Sequence, residues 1–159
     1  MVLIRTPYGM RERPPDVNEE TLRKATEVLA ARPEVVLAYL FGSHARGRPT
    51  PISDIDFAVL LSGNVPRGSY LDAQIALTQA LTPIFRSDEV QAVILNAAPP
   101  LLAYKVLVEG RLLVCRDQVA RVRFQVRATQ RYFDTQPMRR GLAEATARRI
   151  REGRFGYRP

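Results

Sequence analysis

A chain of 159 residues, 46% of them hydrophobic and 8% aromatic, is the size of one compact domain and leaves little for a second. Its single cysteine, Cys115, and single histidine, His44, exclude a disulfide framework and a zinc cluster, and no apolar run is long enough to cross a bilayer. The formal net charge of +8 is unevenly placed: residues 1–115 carry twelve basic and twelve acidic side chains, whereas twelve arginines from Arg116 onward face only Asp117, Asp134, Glu144 and Glu152.

Such a basic segment suits RNA, a phosphate-bearing substrate or an acidic protein partner, or is simply a solvated arginine-rich helix. With no charged start, apolar stretch and cleavage site at the N-terminus, a soluble, cytoplasmic protein without membrane contact is expected.

Pro7, Pro14 and Pro15 among charges mark residues 1–16 as an irregular arm. Over residues 17–31, Leu22, Ala25, Val28 and Leu29 recur at helical spacing, with Asp16 placed to cap and Pro33 to stop. Residues 35–41 and 55–61 are short, nearly all-apolar runs of strand formers, as expected for strands covered on both faces. Gly63 and Pro66 signal turns, and Leu71, Ile75, Leu77 and Leu81 mark a helix ending near Pro83. A third strand is expected over 90–95. A helix then opens at Pro99 and Pro100, carries Leu101, Leu102, Val106 and Leu107, and closes with Gly110 at the C′ position. Residues 112–115 read as a fourth strand, with Cys115 as a buried structural thiol. From Asp117 a helix runs to about Phe133, with Val119, Val122, Val126 and Phe133 on one stripe. Pro137 breaks it, and a second helix covers about 138–151. The organisation expected is an arm (1–16), an α/β core (17–116) and a basic C-terminal helical segment (117–159).

The chemistry lies in the loop between the first two strands. Asp54 and Asp56 are two apart where the second strand starts, so strand periodicity turns both carboxylates to one side. Two like charges in apolar surroundings are unfavourable unless a cation neutralises them, and hard oxygen donors suit magnesium or manganese. The alternative reading of the pair alone is a turn or cap at Ser53 and Asp54, with Asp56 on a wet strand end. Gly42 and Ser43, directly after the first strand, let the backbone approach an anion and can open a short helix whose free N–H groups face it. A phosphate cradle beside a carboxylate pair is the arrangement that phosphoryl and nucleotidyl transfer require.

Gly42-Ser43-His44-Ala45-Arg46-Gly47, followed by Ser53-Asp54-Ile55-Asp56-Phe57-Ala58-Val59, resembles the signature of the minimal nucleotidyltransferase family within the DNA polymerase beta superfamily. The likeness extends less specifically through Leu95-Asn96, Pro99-Pro100-Leu101-Leu102, Glu109-Gly110-Arg111-Leu112-Leu113 and the helical tail ending at Arg154. It implies a small nucleotidyltransferase fold with a mixed sheet flanked by helices and a C-terminal helical extension. By the same resemblance, Asp54 and Asp56 are catalytic and hold Mg2+ (or Mn2+), Gly42 and Ser43 hold the triphosphate of ATP, and Arg46 contacts phosphates or clamps the loop. Members resembling this chain act as antitoxins of HEPN-domain toxins, transferring AMP from ATP to a toxin tyrosine. The basic tail is then a docking surface for the toxin, with RNA as the less favoured occupant.

The sequence departs from the family pattern at one position. A third carboxylate is usual in the strand that here reads Val90-Gln91-Ala92-Val93-Ile94-Leu95, where Gln91 stands at the acidic position. An amide cannot take a proton from an attacking hydroxyl and is a poorer metal ligand than a carboxylate. Glu89 is the nearest substitute, displaced by roughly 6–7 Å along the strand. Both a slow enzyme and a non-catalytic nucleotide-binding antitoxin are consistent with this pattern. His44 reads as an exposed loop side chain, and Tyr132, Phe133 and Phe155 read as packing rather than RNA-stacking residues.

Overall fold

In the computed structural model, which describes residues 17–50 and 53–153 and the backbone of residues 5–6 and 9–10, the two apolar runs pair at the centre of a four-stranded sheet. Before them, β1 (Arg5–Thr6) and β2 (Gly9–Met10) form a two-residue antiparallel pair within the arm. The rest of the arm, with Asp16, lies outside the described residues. The central strands are β3 (Val35–Phe41) and β4 (Ile55–Leu61), antiparallel to each other. A short α2 (Gly42–Ala45) lies between them. On one edge β5 (Val90–Ile94) runs parallel to β4, and on the other β6 (Arg111–Cys115) runs antiparallel to β3, for the order β5-β4-β3-β6. The sheet is mixed, as expected.

Among the described residues five longer helices complete the fold: α1 (Glu19–Ala30), α3 (Tyr70–Phe85), α4 (Pro100–Glu109), α5 (Gln118–Asp134) and α6 (Gln136–Arg151). The strands bury side chains on both faces, so there are two cores. On one face Leu22 and Leu29 of α1 and Leu77, Leu81 and Phe85 of α3 pack against Ile55, Phe57 and Val59 of β4. The Phe57 and Phe85 rings lie 5.7 Å apart. On the other face Ala103 and Val106 of α4 and Phe124 and Ala128 of α5 cover Leu37, Tyr39 and Ala58. Each fully buried leucine, isoleucine or phenylalanine contributes about 1.5–3 kcal/mol, and that burial holds the three layers together. Cys115 packs against the second core and is only half-buried.

Several boundaries fall differently from the sequence expectation. Asn18 caps α1: its Oδ1 accepts from Thr21 N–H at 2.9 Å while Thr21 Oγ1 accepts from Asn18 N–H at 2.9 Å, a reciprocal arrangement that satisfies both donors. Helix α3 runs through Pro83 to Phe85. A proline in the last turn forfeits one bond, to the Gln79 carbonyl, and burial of Phe85 against Phe57 offsets it; the chain leaves through Arg86 in the left-handed region (φ 49°). Leu95 belongs to a 3₁₀ turn after β5 rather than to the strand. Gly110 is the C-cap itself and is extended (φ −79°, ψ 145°), not a left-handed C′ residue. A side chain there would collide with the Val106 carbonyl oxygen, so close approach, not handedness, requires the glycine. The α5–α6 break falls at Thr135, with Pro137 inside the first turn of α6. Val119, Val122, Val126 and Phe133 do share a stripe, but it faces solvent, each residue more than half exposed; Phe124 and Ala128 are what α5 buries.

Two long-range side chains finish the edges. Asn96 accepts from Leu61 N–H at 2.8 Å and donates to Leu61 O at 2.9 Å, continuing the sheet where β5 has ended. Arg116, just past β6, donates to the carbonyls of Ala30 (2.6 Å), Val35 (3.1 Å) and Arg32 (3.4 Å).

Candidate functional site

The site forms where β3 ends and β4 begins. Gly42 leaves β3 with φ +75°, a conformation costly for any residue with a Cβ. A Cβ at this position would also run into Oδ2 of Asp56. The backbone of Gly42 and the Asp56 carboxylate are therefore in direct apposition, and two independent constraints demand glycine there. Gly42 and Ser43 are the first residues of α2, so their N–H groups are among those a helix leaves without internal partners. The turn closes through Arg46 N–H to Gly42 O and Arg48 N–H to Ser43 O. Before β4, Ser53 folds back on Thr50, its hydroxyl accepting from Thr50 N–H at 2.8 Å.

Ile55, Phe57 and Val59 point into the first core, and strand alternation turns Asp54 and Asp56 to the opposite face, where Ala58 lies. Asp54 is exposed and Asp56 half-buried. Burial first, and the neighbouring Asp54 charge second, hold the Asp56 carboxyl above the ordinary aspartate range, with His44 opposing. Burial is thus the larger cause and the like charge of Asp54 the smaller, both disfavouring the charged form.

Register identifies what stands beside them. Asp56 pairs with Gln91 across the parallel β4–β5 ladder, so the amide lies next to Asp56 on its face. One step earlier, Ile55 N–H donates to Glu89 O at 2.8 Å, which sets Glu89 beside Asp54. Asp54, Asp88, Glu89 and Gln91 line one side of a cleft of about 400 Å³ whose other side is Gln74, Thr78 and Gln79 of α3.

Two residues play parts that the sequence hid. His44 is not an exposed loop side chain: it is half-buried on α2, and its Nε2 is shielded from solvent without a hydrogen-bond partner among the described residues. Glu109, at the end of α4, pairs with Arg46 at 2.8 Å, which links the end of α2 to α4. Such a half-exposed pair contributes about 0–1 kcal/mol. On the C-terminal helices, Tyr132 stacks on Tyr104 with centroids 3.9 Å apart and lies under the Arg139 guanidinium at 4.2 Å. Those rings pack, as expected; Phe155 lies outside the described residues.

Among the described residues no group of three histidine, cysteine or acidic side chains gathers as a metal cage. Two carboxylates beside an anion-facing backbone turn are nonetheless a donor set that fits magnesium, which usually takes one or two carboxylates and completes its shell with substrate phosphates and water. Because Gly42 carries no Cβ, the Asp56 carboxylate can lie directly against its backbone. Among the described residues no helix is long and apolar enough to cross a membrane.

The model of the family "Polymerase beta, Nucleotidyltransferase" matches residues 23–119, the stretch from α1 to the start of α5. A search of curated protein sequences finds no match. Among solved structures, the chain is 27% identical to a chain of the toxin-antitoxin MntA-HepT, covering 80% of this chain and 97% of that one at a TM-score of 0.63. A toxin-antitoxin structure with AMP-PNP is 28% identical, over 81% and 98%, also at 0.63. The structure of a tri-AMPylated Shewanella oneidensis HEPN toxin in complex with MNT antitoxin contains a chain 26% identical, over 80% and 96%, at 0.61. The chain belongs to the polymerase beta nucleotidyltransferase family and is, within it, similar to the minimal nucleotidyltransferase antitoxins of HEPN toxin pairs.

Proposed function

We propose that this chain is a magnesium-dependent nucleotidyltransferase that passes AMP from ATP to a protein partner, a HEPN-type toxin, and so acts as its cytoplasmic antitoxin. The observation that carries the reading is the apposition of the Gly42 backbone with the Asp56 carboxylate, which supports a phosphate-facing turn and a metal-holding carboxylate acting at one point. The likeness to toxin-antitoxin chains, one of them solved with AMP-PNP and one with an AMPylated toxin, supports the choice of nucleotide and acceptor.

In this reading Asp54 and Asp56 hold Mg2+ or Mn2+, which when bound supplies positive charge against the triphosphate and the developing charge on the leaving group. The first-turn N–H groups of Gly42 and Ser43 take phosphate oxygens, and Arg46, held by Glu109, keeps that turn in place. A partner hydroxyl attacks the α-phosphorus of ATP, a new P–O bond forms, and the bond to pyrophosphate breaks. The hydroxyl proton needs an acceptor. Gln91 beside Asp56 cannot be one, and Glu89 beside Asp54 is the strand neighbour with the right chemistry.

The same Gln91 favours a second reading, an antitoxin that binds nucleotide and neutralises its partner by complex formation alone. Incubation with ATP, magnesium and the HEPN-type partner, followed by intact-mass measurement, separates the two. A partner heavier by one or more AMP units establishes transfer. An unmodified partner in a stable, inhibited complex establishes the binding-only antitoxin, and absence of both complex and modification overturns the antitoxin assignment.

A further inference from the structure

Away from the carboxylates, the far end of β4 opens onto α5 in a groove that nucleotidyl transfer does not use. Two hollows of about 330 and 250 Å³ share Leu60, Gly63, Asn96, Phe124 and Arg127, so they form one continuous depression. Arg123 lines one hollow, Arg131 the other and Arg127 both. Residues four apart lie on one helix face with a rise of about 6 Å between them, so the three guanidiniums form a row along one wall. All three residues are exposed, and none forms an ion pair with a described residue. The nearest acid on the lining, Asp117, is engaged in capping α5 through Val119 N–H and Ala120 N–H.

We infer that this groove binds an extended acidic segment of a partner protein, its carboxylates on the arginine row and its apolar side chains on the groove floor. The spacing fits: same-side residues of an extended chain repeat every 6.6–6.8 Å or so, close to the pitch of the row. Guanidiniums prefer carboxylate or phosphate partners in paired hydrogen bonds. The floor decides between these anions. It is mainly aliphatic, with Leu60, Leu95, Ala103 and Ala128, and of its two aromatic side chains Phe124 is only 7% exposed while Tyr70 is half-buried at one hollow. Single-stranded nucleic acid stacks successive bases on a run of open aromatic faces, which one half-buried tyrosine does not supply, whereas the half-buried Leu60 suits the aliphatic side chains of a peptide. This docking surface is independent of the nucleotidyltransferase chemistry, since it lies at the opposite end of β4 from Asp56.

The test is a fluorescence-anisotropy titration of the full chain with a labelled nonapeptide of alternating glutamate and leucine, run beside a labelled twelve-nucleotide single-stranded RNA. The expected result is saturable peptide binding that weakens at least tenfold in the Arg127→Glu/Arg131→Glu double variant, and weakens similarly when the peptide's glutamates become glutamines. Circular dichroism and ATP binding on the same samples check that the variant stays folded with its other site intact; a variant that fails this check is replaced by Arg127→Gln/Arg131→Gln. Failure of the peptide to bind, or equal binding by both chains, overturns the inference. So does RNA binding that is tighter than peptide binding and lost with the same substitutions.

Discussion

Replacing Gly42 by alanine perturbs the site with a single carbon atom. The new Cβ sits on a backbone at φ +75°, which costs about 1–2 kcal/mol for a non-glycine residue, and it also occupies space held by Asp56 Oδ2. Relieving that collision requires the carboxylate or the turn to move, adding a cost of similar size, so a loss of roughly 2–4 kcal/mol is expected. For a chain of this length, that is a Tm lower by roughly 5–15 °C. Displacement of a reacting constellation by about 1 Å costs about 10²-fold in rate, so AMP transfer should fall at least that far. Gly47 supplies the control. Its φ is +65°, yet nothing lies within 4 Å of where its Cβ would be, so Gly47→Ala should lose roughly 1–2 kcal/mol while transfer stays within a few-fold of the parent. Thermal melts and single-turnover transfer assays on both variants read the two effects separately. If Gly42→Ala retains activity, or if both variants lose it equally, the apposition of Gly42 with Asp56 is not what organises the site.

Because burial and Asp54 raise the Asp56 pKa, the folded state binds more protons than the unfolded one between the two pKa values. Stability therefore falls as pH rises through that window, and a charged Asp56 is a cost at neutral pH. In chelator at pH 7, Asp56→Asn should melt a few degrees higher than the parent while losing AMP transfer, and the difference should shrink as pH falls toward the ordinary carboxylate range; a lower Tm in metal-free buffer would refute the electrostatic account. Gln91→Glu restores an acid at the position paired with Asp56, and transfer should rise by about 10²-fold or more with partner affinity unchanged. A rate that stays level or falls, together with loss of transfer in Glu89→Gln, would instead assign the proton acceptor to Glu89.

The part of the site formed by consecutive residues was legible in the sequence. Phe41, Gly42 and Ser43 follow one another, and Asp54 and Asp56 are related by strand alternation alone, so local rules place them. Gln91 was legible only through alignment to a family pattern, and the β4–β5 register now puts it beside Asp56. What could not be read were contacts between residues distant in the chain. Nothing near Arg46 announces Glu109, and nothing near Leu61 announces Asn96. The stripe of Val119, Val122, Val126 and Phe133 was visible as periodicity, but periodicity does not say whether a stripe meets the core or the solvent. Here Phe124 and Ala128, only two residues interrupting the arginines, secure α5 to the sheet. Pro83 shows the converse: a local stop signal was overridden because two further residues bring Phe85 into the core.

Arg116 gives α1 an ending that α1 does not encode. The carbonyls of Ala30 and Arg32 and that of Val35 in β3 converge on one guanidinium, carried by a residue that is in position only once β6 has paired with β3. Closure of the helix and closure of the sheet edge thus become one cooperative event. A chain interrupted before Arg116 would leave α1 frayed at its C-terminal turn, and fluctuations that detach β6 reach a helix more than eighty residues away in the chain.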